Sequence, residues 1–147
     1  MNLIISIDPG SQKCGFVLAD IKTNIVLDAR IILTSTISDF IRENFQRSSI
    51  DLIIIGDGTN SRYLHSEISS LNLSPVEFVN EIGTTLKARA RFWEINPPGF
   101  FLKIIPRSML LPPKGLDAFA ALVLLEDYLN RKLYWPKIVQ LKIWPEQ

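Results

Sequence analysis

The 147-residue chain has one cysteine, one histidine and almost no net charge. Lone Cys14 cannot close an internal disulfide, and within an apolar strand it reads as a small core residue rather than a reactive thiol. No apolar run approaches the roughly 18 residues that span a bilayer. Met1 to Ile7 is apolar but lacks the basic lead and small-residue cleavage site of a secretory leader. The expectation is a cytoplasmic protein with no membrane partner. A net charge of +1 gives no compositional reason to expect nucleic acid. There is no Gly-x-x-x-x-Gly-Lys-(Ser/Thr) phosphate loop. His65, between Leu64 and Ser66 in a helical stretch, reads as a surface residue outside any catalysis.

What remains is the balance of an ordinary globule, 47% hydrophobic and 21% charged. A chain of this length fits one domain that buries about two-thirds of its unfolded surface. Charge is unevenly spread. Met1 to Gly83 holds six basic and ten acidic residues, and Thr84 to Gln147 holds ten basic and five acidic. A polyanion could lie along the second half while acids gather at one point.

Leu3 to Asp8 reads as a strand, Gly15 to Ala19 as a second and Ile25 to Leu33 as a third, joined by short turns into an antiparallel meander. Thr36 to Phe45 then shows helical spacing through Ile37, Phe40, Ile41 and Phe45. Asp51 to Ile55 is a β-branched run of the kind buried on both faces. A helix over Asn60 to Leu71, a strand over Pro75 to Val79 and a helix from Thr84 to about Glu94 follow. Phe100 to Pro113 is an irregular connector. Leu116 to Leu129 is the last strong helix. This order predicts an α/β, ribonuclease H-like fold: a mixed five-stranded sheet with helices on both faces, over residues 1–130. Residues 131–147 read as an irregular tail packed on the domain.

In open α/β sheets ligands gather at the carboxyl ends of parallel strands. Three predicted strands end in an acid, at Asp8, Asp57 and Glu81, and Asp117 opens the last helix. Carboxylates crowded together repel, so such a cluster calls for a cation. Oxygen donors suit Mg²⁺ or Mn²⁺, and a pair of such ions can drive phosphodiester hydrolysis. Blander roles exist for each acid. Asp8 before Pro9-Gly10 and Asp57 within Gly56-Asp57-Gly58-Thr59 are good turn formers. Asp117 complements a helix dipole, and Glu81 is a plausible solvated loop residue.

Specific motifs add to this pattern. Ile7-Asp8-Pro9-Gly10-Ser11, followed by Cys14-Gly15, resembles the opening Asp-x-Gly motif of the YqgF (RuvX-like) family. Asn80-Glu81-Ile82-Gly83-Thr84-Thr85-Leu86-Lys87-Ala88 is similar to its Asp-Glu-Arg-x-(Ser/Thr)-Thr-x-x-Ala motif. Leu116 to Leu129 resembles its Asp-Asp-x-x-Ala-x-x-(Ile/Leu)-Leu-x-x-Tyr-Leu helix. The similarity runs almost to Asn130. The resemblance implies a ribonuclease H-like nuclease of pre-16S ribosomal RNA, also described as Holliday-junction-resolvase-like, with catalytic acids at Asp8, Glu81 and Asp117. The family's acid and arginine around the glutamate are Asn80 and Ile82 here, and its second helix acid is Ala118. Isoleucine cannot hold a carboxylate or phosphate as arginine does.

If the fourth strand lies between the first and fifth, Asp8 and Glu81 are about 10 Å apart at the backbone. Asp57 then lies between them and is expected as an auxiliary metal ligand. Candidate substrate contacts are Lys87, Arg89 and Arg91, with Lys103, Arg107 and Lys114 in the connector. Lys87 and Arg91 share a helix face and could track a phosphate backbone, or form a solvated basic face. Ser11, Thr59 and Ser61 offer hydroxyls. Phe92, Trp93, Phe100 and Phe101 read as core rather than as base-stacking groups.

The expectation is a metal-dependent nuclease carrying Mg²⁺ or Mn²⁺, two ions in all, acting on structured RNA or on branched DNA. Two other classes compete. An Asp-x-Gly-Ser turn after a strand also resembles the first phosphate loop of actin-like and sugar-kinase folds, which use two such domains. A non-catalytic ribosome-assembly or nucleic-acid binder is the other. Either a monomer or a homodimer fits the sequence.

Overall fold

The computed structural model describes residues 2–58, 61–81, 83–97, 99 and 116–144. Its strands are β1 (Leu3–Asp8), β2 (Lys13–Asp20), β3 (Ile25–Leu33), β4 (Leu52–Gly56), β5 (Val76–Val79) and β6 (Lys142–Trp144). Its α-helices are α1 (Ile37–Phe45), α2 (Ser61–Ser69), α3 (Thr84–Ile95) and α4 (Leu116–Leu129). The strands form one sheet in the order β5-β4-β1-β2-β3-β6. β1 pairs antiparallel with β2 and parallel with β4, and β4 pairs parallel with β5. A meander on one side of β1 and parallel crossover strands on the other make the fold ribonuclease H-like.

Alternation along β1 assigns the two faces. Ile5 and Ile7 join Phe16, Ile32, Ile53 and Ile55 beneath α1 and α2. Ile4, Val17, Ala19 and Ile54 pack beneath α4. Period-two alternation therefore turns Asp8, like Ile4 and Ser6, towards α4. α4 is apolar nearly all round because it is enclosed: Ala118 to Glu126 are all buried. The buried Ser6 hydroxyl donates to the Ala121 carbonyl at 2.7 Å and fixes the helix over β1.

Two expectations are corrected. Among the described residues the sheet has six strands, not five, and the tail over 131–144 is irregular only in part, since it adds a bridge at Tyr134 and the strand β6. Val26 N–H donates to the Tyr134 carbonyl at 2.9 Å and Tyr134 N–H to the Asn24 carbonyl at 2.8 Å. β6 then pairs parallel with β3. The Trp135 ring stacks on Phe119 with centroids 4.9 Å apart, and its N–H donates to the Val139 carbonyl. A three-residue strand has too little periodicity of its own to be seen in sequence, and the unpaired edge of β3 creates it.

A buried carboxylate anchors this arm. Glu126 is 7% exposed and accepts from the Arg91 guanidinium at 2.9 Å and from the Leu133 backbone N–H at 2.7 Å. Arg91 also donates to the Leu133 carbonyl at 2.7 Å and to Glu94 at 3.1 Å. A buried carboxylate is tolerable only when paired and fully hydrogen-bonded, as this one is.

Candidate active site

Three strand ends and one helix start meet at one edge of the α4 face. Asp8 ends β1, opposite Gly15 of β2. Ile7 is level with Ile55, so Asp8 lies beside Gly56 at the end of β4. Gly56 is level with Val79 of β5, and Glu81 follows two residues later. Asp117 stands in the first turn of α4.

Asp8 is thus flanked by a glycine on each neighbouring strand, and both open spaces are filled. A Cβ on Gly15 would run into the Asp117 backbone carbonyl, so the start of α4 rests directly on β2. A Cβ on Gly56 would meet the Glu81 carboxylate. One on Gly58 would stand 2.8 Å from Glu81 Oε2. The Glu81 side chain therefore folds back across the end of β4 towards Asp8. In sequence, Gly56 and Gly58 read as part of a turn and Gly15 as part of the opening motif, with no space for another residue's side chain implied. The available signal was a glycine at a strand position, which often marks the close approach of another group.

The result is a crowded set of acids. Burial, then a hydrogen bond with the Glu81 carboxyl, then the charges of Glu81 and Asp117 push the Asp8 pKa up to about 8. Glu81 Oε1 is buried without a hydrogen-bond partner among the described residues. A half-buried Asp8 crowded by two other carboxyls, beside an orphaned Glu81 oxygen, is short of positive charge. In kind, these donors fit a hard divalent cation. Among the described residues, however, no three His, Cys, Asp or Glu side chains are already closed into a ligating arrangement.

The other predicted residues fall as follows. Asp57 is exposed at the end of β4, its N–H donating to the Val79 carbonyl at 2.8 Å. Ser11 is exposed in the loop after β1. Lys87 is exposed on α3 and paired with Asp127 at 2.9 Å. Arg89 is partly buried, and its Nε has no partner among the described residues. Arg91 was expected on substrate but is instead spent on Glu126, Glu94 and the Leu133 carbonyl. Its side chain is 13% exposed, so it is a structural clamp. Thr59, Lys103, Arg107, Lys114, Phe100 and Phe101 lie outside the described residues.

Phe92 packs edge-on against Trp93 and Phe119, in keeping with a core role. His65 stacks on Phe78 at 4.6 Å, with Nε2 3.3 Å from the Val76 carbonyl, away from the acids. The Cys14 thiol is buried 3.3 Å from the Thr34 hydroxyl, and burial pushes its pKa up, against a reactive role. Ala118 is wholly buried in the α4 core, so α4 brings a single carboxylate to this edge.

No family model matches the chain. It is similar to a protein of Flavobacterium johnsoniae named "Putative pre-16S rRNA nuclease", 24% identical over 143 residues, covering 91% of this chain and all of the relative. Among solved structures, Thermus thermophilus RuvC in complex with a Holliday junction substrate is 13% identical. It covers 91% of this chain and all of that one, at a TM-score of 0.47. A polyphosphate/ATP-glucomannokinase from Arthrobacter sp. strain KM is also 13% identical, at a TM-score of 0.42. That likeness covers 63% of this chain and 48% of the kinase. Structural likeness this loose says nothing about chemistry. The sequence relative agrees with the motifs, and the chain resembles the YqgF (RuvX-like) family along nearly its whole length. No described helix is long and apolar enough to cross a membrane.

Proposed function

We propose that the chain is a divalent-metal-dependent nuclease that hydrolyses phosphodiesters of structured nucleic acid, with processing of the 5′ end of pre-16S ribosomal RNA as its reaction. The observation that carries this reading is the approach of the Glu81 and Asp117 carboxyls to half-buried Asp8, with the Glu81 side chain folded over Gly56 and Gly58 and the start of α4 resting on Gly15. A carboxyl group so placed favours a cation, and the 24% identical relative named for a pre-16S rRNA nuclease supplies the substrate class.

Asp8, Glu81 and Asp117 would hold the ions, with Asp57 auxiliary to them. Ions held there would supply activation of a water for in-line attack and stabilisation of the departing oxygen. The protein's own residues do the rest. Gly56 and Gly58 leave the space that aims Glu81 at Asp8. Gly15 lets the first turn of α4 carry Asp117 to the same place. Ser11 and Arg89 are the remaining candidates for contact with a phosphate backbone. No protein nucleophile is needed.

Purified protein incubated with Mg²⁺ or Mn²⁺ should cut a precursor 16S fragment at a discrete site. A four-way DNA junction cut in preference would assign branched DNA instead. Tight binding of either without metal-dependent cleavage would select the non-catalytic reading, which Ile82 in place of the family arginine and Ala118 in place of its second helix acid favour. Asp57→Asn tests the auxiliary role. The metal concentration for half-maximal cleavage should rise about tenfold, the usual cost of losing an outer partner of a metal site. An unchanged metal dependence and rate would remove Asp57 from the centre.

A further inference from the structure

A groove of about 670 Å³ runs between α3 and α4, beginning at Asn80, the residue before Glu81. Lys87, Arg91, Arg131 and Lys132 line it beside the carboxylates of Glu94, Glu126 and Asp127, so its positive charge is available to a phosphate backbone only where an ion pair opens. Each of these cations is already engaged. Arg91 is bound to buried Glu126, Lys132 to Glu94, and Arg131 to the Ile21 carbonyl. Lys87 is bound to Asp127.

These engagements differ in how easily they break. The Arg91–Glu126 pair is buried and multiply bonded, so it stays closed. The Lys87–Asp127 pair has both side chains about half exposed, at 51% and 47%. Such a pair contributes little and is screened by salt. Lys87 also lies in the first turns of α3, its N–H donating to the Gly83 carbonyl just beyond Glu81. It is therefore the groove's releasable cation nearest the acids. A nucleic-acid backbone competes well for it, because each phosphate neutralised also frees a condensed counterion.

We propose that Asp127 is an internal competitor for phosphate, holding Lys87 until a phosphodiester backbone entering the α3–α4 groove displaces it. The residue sets a threshold: short or weakly charged anions do not open the pair, and a continuous backbone does. This inference rests on the nuclease reading, since it assigns the groove to that reading's substrate.

A double-mutant cycle tests it, using a fluorescent RNA hairpin as probe and the Asp8→Asn protein as a non-cleaving background. Asp127→Asn should tighten binding about two- to fivefold at low salt, the scale of one exposed ion pair. The gain should shrink as added salt screens the Lys87–Asp127 pair. Asp127→Ser should reproduce the gain. In a Lys87→Met background the gain should vanish. An equal gain with and without Lys87 would mean that Asp127 merely repels the polyanion as bulk charge, and would overturn the inference. So would no gain at all. If the background protein holds neither the hairpin nor a four-way junction, the nuclease reading fails and this inference with it. Binding with an additive cycle sinks only the inference.

Discussion

Asp8→Asn is expected to cut metal-dependent cleavage by at least about 10³-fold, roughly 4 kcal/mol of transition-state stabilisation. The same change should raise the melting temperature of the metal-free protein at pH 8. The native pKa of Asp8 is about 8, well above its ordinary 3.8. A folded-state pKa raised in this way contributes stability that is intact below about pH 4 and is lost as pH rises towards 8. Across that window the unfolded chain has already given up the proton that the folded chain still holds. Asparagine has no proton to lose and carries no such slope. A gain of about 2–4 °C accompanies each kcal/mol in a chain of this size. Added Mn²⁺ should restore the wild-type protein by binding the ionised carboxylates, and should do little for the variant. Melting curves at pH 5 and pH 8, with EDTA or with Mn²⁺, check all four corners. A wild-type melting temperature that does not fall with pH would mean that Asp8 is not held protonated.

The second large effect separates two glycines that look alike in sequence. Gly56→Ala drives a methyl group into the end of a flexible side chain, Glu81. The side chain can swing away, so stability should be nearly unchanged, or slightly raised through the lower entropy of the unfolded chain. Catalysis should fall about 10²-fold or more, because displacement by 1 Å is enough to cost that much. Gly15→Ala drives a methyl group into the backbone carbonyl of Asp117, which cannot move without the helix. That change should cost about 1–3 kcal/mol, as overpacking does, and activity as well. Thermal melts paired with cleavage rates distinguish the two. A large melting loss for Gly56→Ala would mean that Glu81 is wedged rather than free to move.

The contrast shows what can be read in the chain. The β-branched run at Ile53-Ile54-Ile55 and the alternation through Ile4, Ile5 and Ile7 declare buried strands, because burial on a pleated surface leaves a period in the sequence. Acids at the ends of those strands could be counted towards one edge, and Asp8, Glu81 and Asp117 do approach each other there. The path of the Glu81 side chain was not legible, since it depends on missing side chains at Gly56 and Gly58 on another strand. Nor was the fate of Arg91. Helical spacing put it on the face of Lys87, but its partner Glu126 lies 35 residues later in a buried helix. The strand at Lys142–Trp144 was hidden for a related reason: it exists only through its pairing with Arg30, Ile31 and Ile32.

The clamp formed by Arg91, Glu126 and Leu133 has one more consequence. It joins α3, α4 and the terminal arm through a single desolvated carboxylate. The arm therefore cannot fray by itself, because peeling it back would leave that carboxylate without its Leu133 donor. Amide protons of Leu133 and Tyr134 should exchange with deuterated solvent on the same clock as those deep in α4, and the chain should lose its structure in one cooperative event.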